Sequence, residues 1–221
     1  MLENYKEILE KSRKRVLELG DDVLKSYTLT VQGCQEQDIS KASEARNMLK
    51  DAHERNSKID NEIIKTLALF SPEARDLRVV IAHLKIASEL TRIADYIRSY
   101  AKKVKMQISG EVELSPLRDD MNSFLESTRK SFEAALASIK ADSEDKLENL
   151  YRKVNVEESK CDDITSILEK NIIQQICINP EAAEDMVEFI KTMRKLERIS
   201  DRSVNIVKLA YFAHKGGKLK L

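Results

Sequence analysis

Apolar residues recur every seven positions from Leu2 through Leu9 and Val16 to Val23, with Tyr5 and Leu19 on the neighbouring seam. That period predicts one amphipathic helix reaching about Thr30, with Gly33 as its stop. Asp38 or Ser40 can cap a second helix, which the spacing of Ile59, Ile63, Leu67 and Phe70 carries to the Ser71-Pro72 step. Ser71-Pro72-Glu73 suits the start of a third, because proline lacks only an N–H that the first turn would leave unpaired. Its seam of Ile86, Leu90, Ile93, Ile97, Tyr100 and Val104 alternates steps of four and three, the pattern of bundle packing, and fades near Ile108-Ser109-Gly110.

Gly110 and Pro116 bracket a stretch without helical period, which marks a domain boundary. Ser115-Pro116 opens a fourth helix through Phe124, Phe132 and Leu136, interrupted at Asp142-Ser143. A fifth follows through Leu147, Val154, Ile164, Leu168 and Ile172 to Ile178, and Asn179-Pro180-Glu181 starts a sixth that ends at Gly216-Gly217. All three prolines thus fall just inside helix starts.

Pro72-Glu-Ala and Pro180-Glu-Ala recur 108 residues apart, and Leu90-Thr-Arg-Ile-Ala-Asp95 returns as Leu196-Glu-Arg-Ile-Ser-Asp201. The shared order of cap, apolar period and Leu-x-Arg-Ile-x-Asp implies duplication. The expected fold is all-α: two tandem three-helix bundles, spanning residues 1–109 and 112–221.

Composition agrees, with charged residues at 34% and few glycines, prolines or aromatics. The 38 basic and 38 acidic side chains cancel, leaving no field to gather nucleic acid or an anionic membrane. Cys34, Cys161 and Cys177 lie at wide spacings without a C-x-x-C pair and read as reduced core thiols. Met1-Leu-Glu-Asn-Tyr-Lys-Glu has no apolar export signal, and no apolar run approaches membrane-spanning length, so the cytoplasm is the expected compartment.

Candidate chemistry concentrates on the sixth helix. Glu197 and Asp201 are four residues apart on one face, with Asn205 a turn further on. Two readings stand: a solvated ladder paired with Arg194, Arg198 and Arg202, or two hard oxygen ligands for a cation completed by another helix. In the first half Thr91 replaces the glutamate and leaves Asp95. Asp60 on the second helix and Asp162 or Asp163 on the fifth are candidate completing ligands. None of His53, His83 or His214 follows a glutamate by three residues, as a di-iron carboxylate oxidase would need. Hydrolase, phosphate-loop and His-Glu-x-x-His motifs are also missing, so the chain does not read as an enzyme. His83, among apolar neighbours, reads as a core histidine satisfied by one hydrogen bond.

Together, Pro72-Glu-Ala-Arg-Asp-Leu-Arg78, Leu90-Thr-Arg-Ile-Ala-Asp95-Tyr96, Leu196-Glu-Arg-Ile-Ser-Asp201 and Ser203-Val-Asn-Ile206 resemble the PhoU family of phosphate-uptake regulators. The resemblance covers nearly the whole chain. It implies a cytoplasmic protein that associates with the ATPase of a phosphate ABC transporter and with a sensor histidine kinase, reaching the membrane only through such partners; the alternatives are a metal-binding helical-bundle protein or an accessory of a low-affinity phosphate transporter. A homodimer is a further expected assembly, and nucleic acid is not an expected partner. It also implies metal ligation, by Glu197 and Asp201 in the second motif and Asp95 in the first; Asp60 and Asp163 are completing candidates from the helix reading alone. Fe, Mn, Mg or Zn would be the cofactor.

Overall fold

The computed structural model describes residues 2–70, 74–109 and 115–216. Among them are seven α-helices and no strand: α1 (Leu2–Gln35), α2 (Ile39–Met48), α3 (Ala52–Phe70), α4 (Ala74–Ser109), α5 (Arg118–Ile139), α6 (Glu144–Ile178) and α7 (Ala183–Lys215). Short 3₁₀ turns at Ser115–Leu117 and Pro180–Ala182 lead into α5 and α7. α1, the consecutive α2 and α3, and α4 pack as one three-helix unit; α5, α6 and α7 form the other. The predicted start at Ser71-Pro72-Glu73 and the linker at 110–114 lie outside the described residues. The division into 1–109 and 112–221 remains our proposal.

Two local features differ from the sequence reading. α1 does not stop at Gly33 but runs on to Gln35, and the chain reverses at Gln37, whose φ is 56°. Asp38 then caps α2 by accepting from the N–H groups of Ser40 and Lys41. A Cβ on Gly33 would lie 2.9 Å from the Asp38 carbonyl oxygen and 3.1 Å from the Ala42 nitrogen. Glycine is needed there because the returning backbone crosses at contact distance. Gly33→Ala is therefore expected to cost about 1.5 kcal/mol, since backbone atoms cannot swing aside as a side-chain tip can. A lowered denaturant midpoint with unchanged slope would report it, and an unchanged midpoint would show that the turn has slack.

The second difference is a break in the predicted second helix at Leu49-Lys50-Asp51, which separates α2 from α3. No glycine or proline marks it in the sequence. Leu49 is fully buried there, and Arg55, one turn into α3, donates to Asp22 of α1 at 2.7 Å. Tertiary contacts thus set the new helix direction.

The two units share one hydrophobic core. Val16, Leu19 and Val23 of α1, Leu90, Ile93 and Ile97 of α4, Phe124 and Phe132 of α5, and Leu196, Ile199 and Ile206 of α7 belong to one continuous buried cluster. α4 lies along α7, and α1 meets α5. Polar bonds cross the same junction: the Tyr27 hydroxyl donates to the Leu125 carbonyl at 2.8 Å, and Arg202 donates to Glu89 at 3.2 Å. Of the three cysteines, Cys161 is buried, Cys34 partly so, and Cys177 is exposed, which corrects the reading of Cys177 as a core thiol. No described helix is long and apolar enough to cross a membrane.

Candidate metal centre

α6 and α7 are antiparallel neighbours within the second unit, so a residue four positions from another on each helix presents a pair to the facing helix. α6 contributes Glu158 and Asp162, and α7 contributes Glu197 and Asp201. Ligand oxygens of Glu158, Asp162 and Asp201 all lie within 4.8 Å of one another. Glu197 adjoins them, in hydrogen-bonding contact with Asp162. Three carboxylates from two helices therefore converge at the protein surface, with a fourth, Glu197, beside Asp162.

The electrostatics are those of like charges held together. Partial burial, then the charges of Asp162, Asp201 and Glu169, push the Glu197 carboxyl above its ordinary range. Burial and Asp162 do the same to Asp201, and burial with Asp162 and Asp201 to Glu158. Asp162 is raised by burial and by Asp163. Arg194, one of the arginines expected to offset the pair, donates instead to Glu169 at 2.7 Å, and Arg202 turns to Glu89. Among the described residues no lysine or arginine forms a salt bridge with any of the four carboxylates. This geometry departs from a salt-bridge ladder. Arg194, Arg198, Arg202 and Lys208 offset the charge only from a distance, and an all-oxygen donor set of this kind fits a hard cation such as magnesium, manganese or ferric iron better than zinc. Cys161 contributes no thiolate, since it is buried against Thr128 and burial holds its thiol protonated.

The remaining predicted residues fall elsewhere. Asp163 is exposed next to Asp162 but turned a helical step away from the group of three. In the first unit Asp60 accepts from Asn56 at 2.9 Å, and burial raises its carboxyl. Asp95 pairs with His53, whose Nε2 lies 3.1 Å from both carboxylate oxygens. Asn56 and Asp60 stand on α3 as Glu158 and Asp162 do on α6, both pairs 102 residues apart. Asn56 and Thr91 thus place neutral groups where the second unit has glutamates. Among the described residues, no group of three or more metal-binding side chains forms there. Glu158 was missed by sequence reasoning; its Glu-x-x-x-Asp spacing with Asp162, echoing that of Glu197 and Asp201, was the available signal.

A duplicated three-helix unit with four facing carboxylates on its second copy defines an all-α tandem-repeat protein bearing an oxygen-rich surface site. The model of a family described as the PhoU domain matches residues 16–104 and again 122–210. The chain belongs to the PhoU family. A Pseudomonas putida protein named phosphate-specific transport system accessory protein PhoU homolog is 25% identical over 217 residues, covering 94% of this chain and 79% of that protein. The Thermotoga maritima homolog 2 of the same name is 23% identical, over 97% of this chain and 88% of its own length. The crystal structure of PhoU from Pseudomonas aeruginosa superposes with a TM-score of 0.87 at 23% identity, over 96% of this chain and all of that one. The phosphate transport system regulatory protein PhoU from Streptococcus pneumoniae gives 0.82 at 21%, over 98% of this chain and all of its own. At these identities the structures speak for the fold.

Proposed function

We propose that this chain is a cytoplasmic accessory protein of phosphate uptake, which regulates by docking and not by covalent catalysis. The observation that carries the reading is the twofold family match across the chain, with relatives named as accessory proteins of phosphate-specific transport. Its docking partners are the ATPase of a phosphate ABC transporter and a sensor histidine kinase, with a second copy of the chain as a further partner. The long helices offer extended faces for such contacts, so output changes when the partners' contacts change.

The carboxylate quartet serves this function by holding a hard cation. Glu158 and Asp162 would bind it from α6, Glu197 and Asp201 from α7. A bound cation supplies positive charge that cancels the repulsion between the two helices and fixes their separation. Asp95 and Asp60 are the reduced counterpart in the first unit, where His53 already engages Asp95. A second reading, a metal-binding bundle outside phosphate regulation, is favoured by the quartet alone.

Affinity capture of the tagged chain from phosphate-replete cells separates the two. Recovery of the transporter ATPase or the kinase is the expected result. Recovery of neither, with metal bound to the purified protein, would leave the second reading in place and remove the first.

A further inference from the structure

At the junction of the two units a cavity of about 350 Å³ opens between α1, α4, the end of α5 and the end of α7, far along α7 from the carboxylate quartet. Its walls are partly aliphatic, and its ionisable lining comprises Arg13, Arg75, His83, His214, Glu10 and Asp76, with Ser138 beside them. His83 is the informative member. It is 5% exposed, and its Nδ1 lies 3.0 Å from Ser12 Oγ. The Ser12 hydroxyl proton is already committed to the Leu9 carbonyl at 2.8 Å. Ser12 must therefore accept, His83 must donate from Nδ1, and Nε2 is left as a lone-pair acceptor. Among the described residues Nε2 has no partner. Burial, and then the charge of Arg13, hold the ring neutral by pushing its pKa down to about 4. The side chain thus presents a fixed acceptor to any ligand that enters.

The charges around it sharpen the requirement. Arg13 and Arg75 bring guanidinium donors, but Glu10 and Asp76 cancel their net charge. Glu10 is partly spent on Arg13 at 3.7 Å, and Arg13 also donates to the Ile139 carbonyl at 3.2 Å. A lining of zero net charge draws in no anion by field strength alone. It selects by matching donors to acceptors, and a ligand that covers His83 Nε2 without donating to it loses affinity relative to one that does.

We propose that this cavity binds a phosphoryl group that keeps one proton, its P–O–H donating to His83 Nε2 and its anionic oxygens accepting from Arg13 and Arg75. The choice of phosphate rests on the phosphate-regulation reading above. Inorganic phosphate carries such a proton at neutral pH, and a small phosphomonoester does so as its monoanion, below a second pKa of about 6; the aliphatic walls leave room for the carbon body of an ester. Because the cavity is walled by both units, its occupant would bias their packing.

Titration calorimetry on the intact chain at about pH 5.5, where the ester keeps its proton and His83 stays neutral, tests this with inorganic phosphate, glycerol 3-phosphate and sulfate as separate probes. Binding of phosphate or of the ester, with sulfate at least about tenfold weaker, is the expected result, and the tighter of the two identifies the source. Arg75 is exposed, so Arg75→Ala should keep its thermal melt while losing about tenfold in phosphoryl affinity. His83→Phe should lose discrimination against sulfate, and if that variant melts early, His83→Gln replaces it. Sulfate binding as tightly as phosphate, or no binding by either phosphoryl probe, would overturn the proposal. Neither result depends on capture of a transporter or kinase, so failure here is distinguishable from failure of the docking reading.

Discussion

Chelator-treated protein given manganese or magnesium is expected to gain about 3 kcal/mol of stability once the cation is near 100 times its Kd. For a chain of this size that is a rise in Tm of roughly 5–10 °C. The reason lies in the geometry of α6 and α7. Glu158, Asp162 and Asp201 hold oxygens within 4.8 Å of one another, with Glu197 alongside, and no basic side chain offsets them by direct pairing. The unfolded chain has no such preformed site, so binding favours the fold. A double Asp162→Asn, Asp201→Asn variant removes two charges from the cluster. It should melt no lower than the cation-free parent and show no response to metal. The double Glu197→Ala, Asp201→Ala variant should likewise purify without metal, as read by elemental analysis. Metal-free native protein whose melt ignores magnesium, manganese, iron and zinc would reject the centre.

The second large effect concerns the junction between the units. Arg202→Met is expected to cost about 3 kcal/mol, because it strips the closest partner from a buried carboxylate. Glu89 is 8% exposed, and Arg202 bonds it at 3.2 Å from across the α4–α7 interface, while Arg92 stands further off at 3.8 Å. Breaking one side of such a pair costs more than replacing both. A Glu89→Leu, Arg202→Met double variant should therefore recover most of the loss, and the cycle of denaturation midpoints measures the coupling directly. Additive losses with no recovery would mean the pair contributes nothing beyond its packing.

The architecture was legible because helix starts carry local chemistry. Asp38 and Ser143 cap α2 and α6 through their own side chains, Pro180 sits in the turn that opens α7, and the apolar steps of α4 are its buried residues. What was not legible depends on contacts between helices. Gly33 reads as a stop in isolation; only the return of Asp38 and Ala42 across it shows a crossing. The Leu49–Asp51 break has no local marker. The site shows the same division. The Glu197 and Asp201 pair follows from spacing within one helix, but the choice of Asp162 over Asp163 needs the rotation of α6 about its axis. A change of one residue turns a side chain by about 100°, and nothing in the local sequence sets that angle. Glu158 escaped for the same reason, although its spacing from Asp162 was in plain view.

α7 is a single helix of 33 residues, on the order of 50 Å long. It carries two of the four carboxylates near its middle and His214 of the junction cavity at its last turn. A rod of that length works as a lever: a tilt of about 5° about one end sweeps the other through ~4 Å, well beyond what packed side chains absorb. A tilt of α7 imposed at one of these places would therefore displace the other.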